Sequence, residues 1–348
     1  MGVILTGLGG GGIVASYMLV VAALVLLVLC FACNKYVQKR MGSGVTVSLL
    51  FTCVRGLMGG AMLFAAYCII NRRLPVVRGY SLIMAGMLAV LVCVYTMLGF
   101  KIMSFGSMSV FTVFLMLGGM IVPYLYGVIW LDEKINAPRV IGIVLMVISM
   151  FFPLIGDNTQ RGRASAGDTS AELPDTAGGE TSAPVSNSRR VIFCVLCLLV
   201  FLLNGFVSVI SKTHAAGILK FESSDSMTFA MLCQLSCGTI SGVILAAVKL
   251  FGSRKPDKPD SGTPANFWLL FRAVLVFIAL AALFDAASFF FQQLGAAALP
   301  ASVMYPLMTG GSIVLSALAG FVLFKEKQTK IALIGLAITF AATFLFLF

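Results

Sequence analysis

One carboxylate in this sequence stands apart from the rest. Of the 13 acidic residues, all but Asp285 fall in turns or polar stretches, while Asp285 lies within an apolar run. An ionised side chain near the centre of a bilayer costs at least about 2.5–3.5 kcal/mol on insertion scales, so it needs a partner or a task. Ser288 and Gln292 follow at i+3 and i+7, which puts all three on one helical face. A polar stripe inside hydrocarbon faces a cavity or another helix, not lipid. Asp285 therefore reads in one of two ways. It is a partner for a substrate ammonium or a proton-coupling carboxylate, or it is a structural group. A structural Asp285 would pair with Arg272 or Arg55, or bridge helices as a protonated acid.

Further along, Ser302, Tyr305, Thr309, Ser312 and Ser316 recur at steps of three and four. Such a stripe suits a polar pathway, with Tyr305 its best site residue, and equally suits close packing with hydroxyls bonded back to their own helix. Asn204, Ser208 and Ser211 form a similar face, with Asn204 as a site residue or as interhelical glue. Gln234, Tyr95 and Thr96 are weaker candidates of the same kind. Arg55 lies deep enough in its run to snorkel only part way. It reads as a carboxylate or phosphate partner, or as a topology or gating residue. Arg272, one turn into its run, reaches the interface. No nucleophile set, nucleotide loop or metal-ligand cluster accompanies these residues. The reading is thus a non-enzyme with no catalytic residues, no metal and no cofactor. The pairs Cys30/Cys33 and Cys194/Cys197 lack a flanking histidine, and all nine cysteines lie in apolar runs, as packing residues do.

These side chains need helices to hold them. The 348-residue chain is 60% hydrophobic and 11% charged, against about 25% charged in a soluble domain. That excludes an ordinary soluble enzyme and predicts an all-α polytopic membrane protein. Its net charge of +11 sits in short pieces between apolar runs, where it faces lipid headgroups rather than nucleic acid. Ten stretches have the length and apolarity of a span: 13–33, 46–70, 79–99, 104–131, 139–155, 191–212, 226–250, 267–291, 299–324 and 330–348. The first is long enough to span and lacks a basic leader, so it is read as a helix and not a cleavable signal. Residues 156–190, rich in Ser, Thr, Gly and Ala, read as a flexible polar linker dividing 1–155 from 191–348. Trp130 and Trp268 border polar segments as interface anchors.

The two halves are similar to each other. Placing Glu133 on Glu326 aligns Gly118 with Gly311, Ser109 with Ser302, Ile141 with Ile334 and Gly142 with Gly335. Five helices is an odd number, so the second half must cross in the opposite sense. Ten transmembrane helices as two inverted five-helix repeats is a plan of secondary transporters, whose site lies between the halves. The closing segments, VIWLDEKINAPRVIGIVLMVISM and FVLFKEKQTKIALIGLAITFAA, resemble those of the EamA-type drug/metabolite transporter superfamily, as does the early Arg55. The resemblance implies the fold and a transport function but no particular substrate. The long linker departs from it, as does Tyr305-Pro306, where the first half has Thr112-Val113 and the proline predicts a kink in one half alone.

The functional expectation is a secondary transporter, importing or exporting a small polar metabolite or drug by alternating access. Its cavity would be lined by the third, fourth, sixth, eighth and ninth helices. The competing expectation is a non-transporting scaffold or receptor on the same fold. The expected partners are a small-molecule substrate, the lipid bilayer and a coupling proton, with a homodimer allowed; a prokaryotic source would place it in the cell membrane. The loops between odd and even helices carry 11 basic residues against 7 on the other face, linker excluded. That count favours an external N-terminus, whereas the resemblance implies internal termini.

Overall fold

A computed structural model describes residues 11–41, 45–105, 108–166, 187–251, 267–324 and 330–347. Among them are ten α-helices and no strand: α1 Gly11–Met41, α2 Val45–Asn71, α3 Gly79–Phe105, α4 Met108–Trp130, α5 Ala137–Ala166, α6 Asn187–Ala215, α7 Ser226–Phe251, α8 Phe267–Ala298, α9 Ala301–Phe324 and α10 Lys330–Phe344. A 3-10 turn, Leu345–Leu347, follows. Helices are what an apolar chain must form in lipid, because each one satisfies its own backbone.

Eight of the described helices are long and apolar enough to cross a membrane, which makes the chain an integral, multi-pass membrane protein. The other two, α5 and α10, carry shorter apolar segments, Ala137–Phe152 and Leu333–Phe344. Helical structure also enters both ends of the stretch read as linker, up to Ala166 and from Asn187. A helix can continue into water past its apolar part, since its hydrogen bonds are internal. The middle of the linker, the turns at 253–260 and 325–329 (with Glu326), and the glycines at 7, 9 and 10 lie outside the described residues.

Two helix ends are set by backbone geometry. Arg72, just after α2, and Asp132, just after α4, adopt left-handed φ values of 49° and 50°. The chain thereby folds back on the last helical turn: Arg72 N–H bonds the Cys68 carbonyl at 2.9 Å and Glu133 N–H bonds that of Gly127 at 3.1 Å.

The helices pair across the two halves. Helix α1 lies along α8, α2 along α7 and α8, α3 along α6 and α7, α4 along α6 and α9, and α5 along α10. Lipid supplies no hydrophobic drive between helices, so these contacts rest on close packing. Glycine permits the closest of them. A Cβ on Gly56 would stand 2.7 Å from Gly238 N, so the α2 and α7 backbones touch. Gly118 likewise meets the Phe201 backbone, bringing α4 onto α6. Val14, Met18, Val21, Val25 and Leu29 run down α1 at steps of three and four and are exposed, as a lipid-facing stripe should be.

Candidate functional site

A cleft of about 260 Å³ enters the protein between α1, α2 and α3. Its walls are the last third of α1 (Asn34, Val37, Gln38), the first third of α2 (Val47 through Arg55) and Val92, Tyr95 and Thr96 of α3. It therefore runs inward from the α1–α2 end of the molecule, with Arg55 deepest on α2. The third helix lines it as expected. The first and second take the place expected for the fourth, sixth, eighth and ninth, whose small residues are taken up by contacts with other helices: Gly118 of α4 meets Phe201 of α6, Gly295 of α8 meets Val20 of α1, and Gly311 of α9 meets Leu24 of α1.

Behind Arg55 lies Asp285. Arg55 Nη1 stands 3.5 Å from Asp285 Oδ1, with each side chain about one-fifth exposed. Asp285 Oδ2 accepts a hydrogen bond from Gln234 Nε2 of α7 at 2.9 Å. Cys30 of α1 donates weakly to Oδ1 across 3.8 Å, and receives Asn34 Nδ2 at 3.5 Å. The Arg55 guanidinium also lies 5.6 Å above the Phe51 ring. Four helices thus converge on one ion pair between the two halves. Asp285 has Arg55 as its partner, while Arg272 is exposed at the start of α8.

The other named residues are separate from the cleft. Ser288 is buried and donates to the Ala23 carbonyl at 2.7 Å, tying α8 to α1. Gln292, also on α8, is half-buried, whereas its neighbour Gln293 is fully buried and donates to Ser211 at 2.5 Å. Asn204 Nδ2 donates to the Leu115 carbonyl at 2.7 Å, joining α6 to α4. Tyr305 donates to the Ser208 carbonyl at 2.7 Å. Thr309 and Ser312 are buried, and Ser312 bonds back to the Thr309 carbonyl of its own helix. In this conformation the α9 stripe is packed rather than wet.

The end of the molecule opposite the cleft mouth is closed by polar contacts, several joining one half to the other. The Glu133 carboxylate, in the α4–α5 turn, accepts the N–H groups of Ala301 (2.6 Å) and Ser302 (2.8 Å) at the start of α9. It thereby satisfies two amides that have no partner within the helix and complements the positive end of its dipole. Lys212 is buried and donates to the carbonyls of Ala296 (2.7 Å) and Leu299 (2.6 Å), which closes the C-terminal end of α8. Tyr126 meets Thr213 at 2.9 Å and Ser81 meets His214 at 2.8 Å. Ser224 Oγ donates to the Val76 carbonyl at 2.9 Å. The His214 ring stacks on Phe229, with centroids 3.5 Å apart.

Glu133 and Lys212 were legible in the sequence only as turn and helix-end charges. A charge at the end of an apolar run ordinarily snorkels outward, and nothing in the spacing says that these two turn inward. Asn34, Gln38, Ser48 and Thr52 sit in helix ends, where polar residues are unremarkable. Among the described residues no group of three or more His, Cys, Asp or Glu side chains could hold a metal.

Scans against protein-family models and against curated proteins gave no match. Solved structures do resemble the chain. One, described only as the crystal structure of a protein, is 16% identical, with a TM-score of 0.63 over 95% of this chain and 96% of its own. At that identity the likeness shows a shared fold, carried over nearly the full length of both chains.

Proposed function

We propose that the protein is a secondary transporter of a small polar metabolite. It works by alternating access between two inverted five-helix halves, on the EamA-type plan of the drug/metabolite transporters. The observation that carries this is the cleft: it is reached from one end, stops at the Arg55–Asp285 pair, and is closed at the other end by bonds between the halves. A carrier caught in one of its two states has this form. The helix pairing supports the duplication. Exchanging each helix with the one five places away turns α1·α8 into α3·α6, α3·α7 into α2·α8 and α4·α6 into α1·α9, and leaves α2·α7, α4·α9 and α5·α10 unchanged. In this reading α5 and α10 also cross the membrane as a symmetric outer pair.

Asp285 is the candidate for carrying a coupling proton. Among the described residues, Cys30 of α1, Arg55 of α2 and Gln234 of α7 contact it, and Tyr95 of α3 and Cys237 of α7 interact with it electrostatically. The test is flux. Protein is reconstituted into liposomes loaded with a mixture of small polar metabolites, and the compounds leaving are identified by mass spectrometry. At least one should exchange faster than from protein-free liposomes, and Asp285→Asn should slow it and flatten its pH dependence. If folded protein moves none of them, the reading fails and the scaffold alternative stands.

A further inference from the structure

The Arg55–Asp285 pair is poorly made as an ion pair. A guanidinium and a carboxylate that are meant to stay together form two parallel N–H···O bonds of about 2.7–2.9 Å. Here one nitrogen reaches one oxygen at 3.5 Å, and the short bond of Asp285 goes to Gln234 instead, at 2.9 Å. Among the described residues Arg55 Nε is buried without an acceptor, and Asn34 Oδ1, on the facing wall, is a buried acceptor without a donor. Buried polar atoms are ordinarily paired, so two such orphans beside one cleft mark groups reserved for something that enters it. Of the described residues lining the cleft, Arg55 is the one that carries a charge.

Resting on the transporter reading above, we propose that the substrate is a small organic monocarboxylate with a hydroxyl or other hydrogen-bond donor near its carboxylate. In the empty carrier Asp285 occupies Arg55 in its place. The entering carboxylate takes the Nε/Nη fork, and its donor group reaches Asn34 Oδ1. A monoanion exchanges charge for charge with Asp285, while a phosphate dianion would face a single guanidinium. A substrate ammonium finds no anion among the described residues of the cleft lining, which turns the expectation for Asp285 around. Once displaced, Asp285 keeps Gln234 and loses its counter-charge, so it takes one proton from water in the cleft. The volume, that of about nine waters at ~30 Å³ each, suits a molecule of this size.

The experiment uses the full-length protein in detergent, with lactate and mandelate as probes and benzylamine and inorganic phosphate as comparators. Thermal unfolding reports binding, and a pH dye in weak buffer reports proton uptake. Lactate and mandelate should raise the unfolding temperature, with about one proton taken up per molecule bound. Asp285→Asn should bind them about tenfold more tightly, because the competitor is gone, and take up no proton. Arg55→Lys should lose at least tenfold in affinity. The neutral pair Arg55→Gln/Asp285→Asn, which avoids stranding either charge, should not bind. Stabilisation by benzylamine or phosphate in place of the carboxylates overturns the proposal, as does carboxylate binding that survives in the double variant or the absence of any response in Asp285→Asn. Metabolite flux without carboxylate binding sinks this substrate class and leaves transport standing. Carboxylate binding without flux does the reverse.

Discussion

The contact between Glu133 and the start of α9 is the strongest single link closing the end opposite the cleft, and removing it should open that end. Two backbone N–H groups donate to one carboxylate at 2.6 and 2.8 Å, and both donor residues are essentially buried, Ala301 at 0% and Ser302 at 1% exposure. Hydrogen bonds to a charged group contribute about 1.5–3 kcal/mol each. Opening lets water take over part of that, so Glu133→Ala should favour the open end by about 2–3 kcal/mol in total. At about 1.4 kcal/mol per tenfold, that is a roughly 30- to 140-fold rise in the open fraction. Hydrogen exchange read by mass spectrometry on a peptide covering Pro300–Tyr305 measures it directly, because the amides concerned are the reporters. Glu133→Gln keeps an acceptor but not the charge, so its rise should be about tenfold or less. Unchanged exchange in Glu133→Ala, with the rest of the map also unchanged, would refute the idea that this carboxylate holds the end shut.

Other consequences can be measured on the same protein. Gly56→Ala and Gly238→Ala push a methyl into the facing backbone of α7 or α2 and should each destabilise by about 1–3 kcal/mol in thermal unfolding. Gly86→Ala, with nothing within 4 Å, should be neutral or mildly stabilising. Lys212→Met strands the carbonyls of Ala296 and Leu299 and should cost about 1–3 kcal/mol; an unchanged melting temperature would contradict its capping role. Ser48→Cys and Thr52→Cys should gain labelling by a membrane-impermeant thiol reagent over the native cysteines, while Ser312→Cys should gain none in this conformation. Labelling at 312 as fast as at 52 would mean that the α9 stripe is wet.

Much of the helical layout could be read directly, because apolar runs of membrane length leave the backbone no alternative to a helix. Asp285 and Arg55 were legible for a related reason: in a chain with so little charge, an ionisable group deep in an apolar run is conspicuous. Their pairing was open. Spacing along one helix says which face a residue shares but not what stands opposite, so Arg272 and Arg55 were equal candidates for Asp285. The α8 face is a similar case. Counting from Asp285 reaches Gln292, yet the fully buried amide that meets Ser211 is Gln293, one residue on. Asn204 and Tyr305 satisfied both of their readings in the sequence, and the carbonyls of Leu115 and Ser208 claim them as links between helices.

The sequence by itself determined that this is an all-helical, multi-pass membrane protein with one acid that the membrane has to accommodate. Those properties follow from composition and from period, which act locally along the chain. The tertiary structure decided which helices wall the cleft, that Asp285 stands behind Arg55 without fully engaging it, and that Glu133 and Lys212 turn inward to cap α9 and α8. These depend on which helix ends meet, and helix ends far apart in the chain are brought together by backbone contacts such as Gly56 on Gly238. A side chain's partner is settled by that packing, so its own sequence neighbourhood carries no record of it.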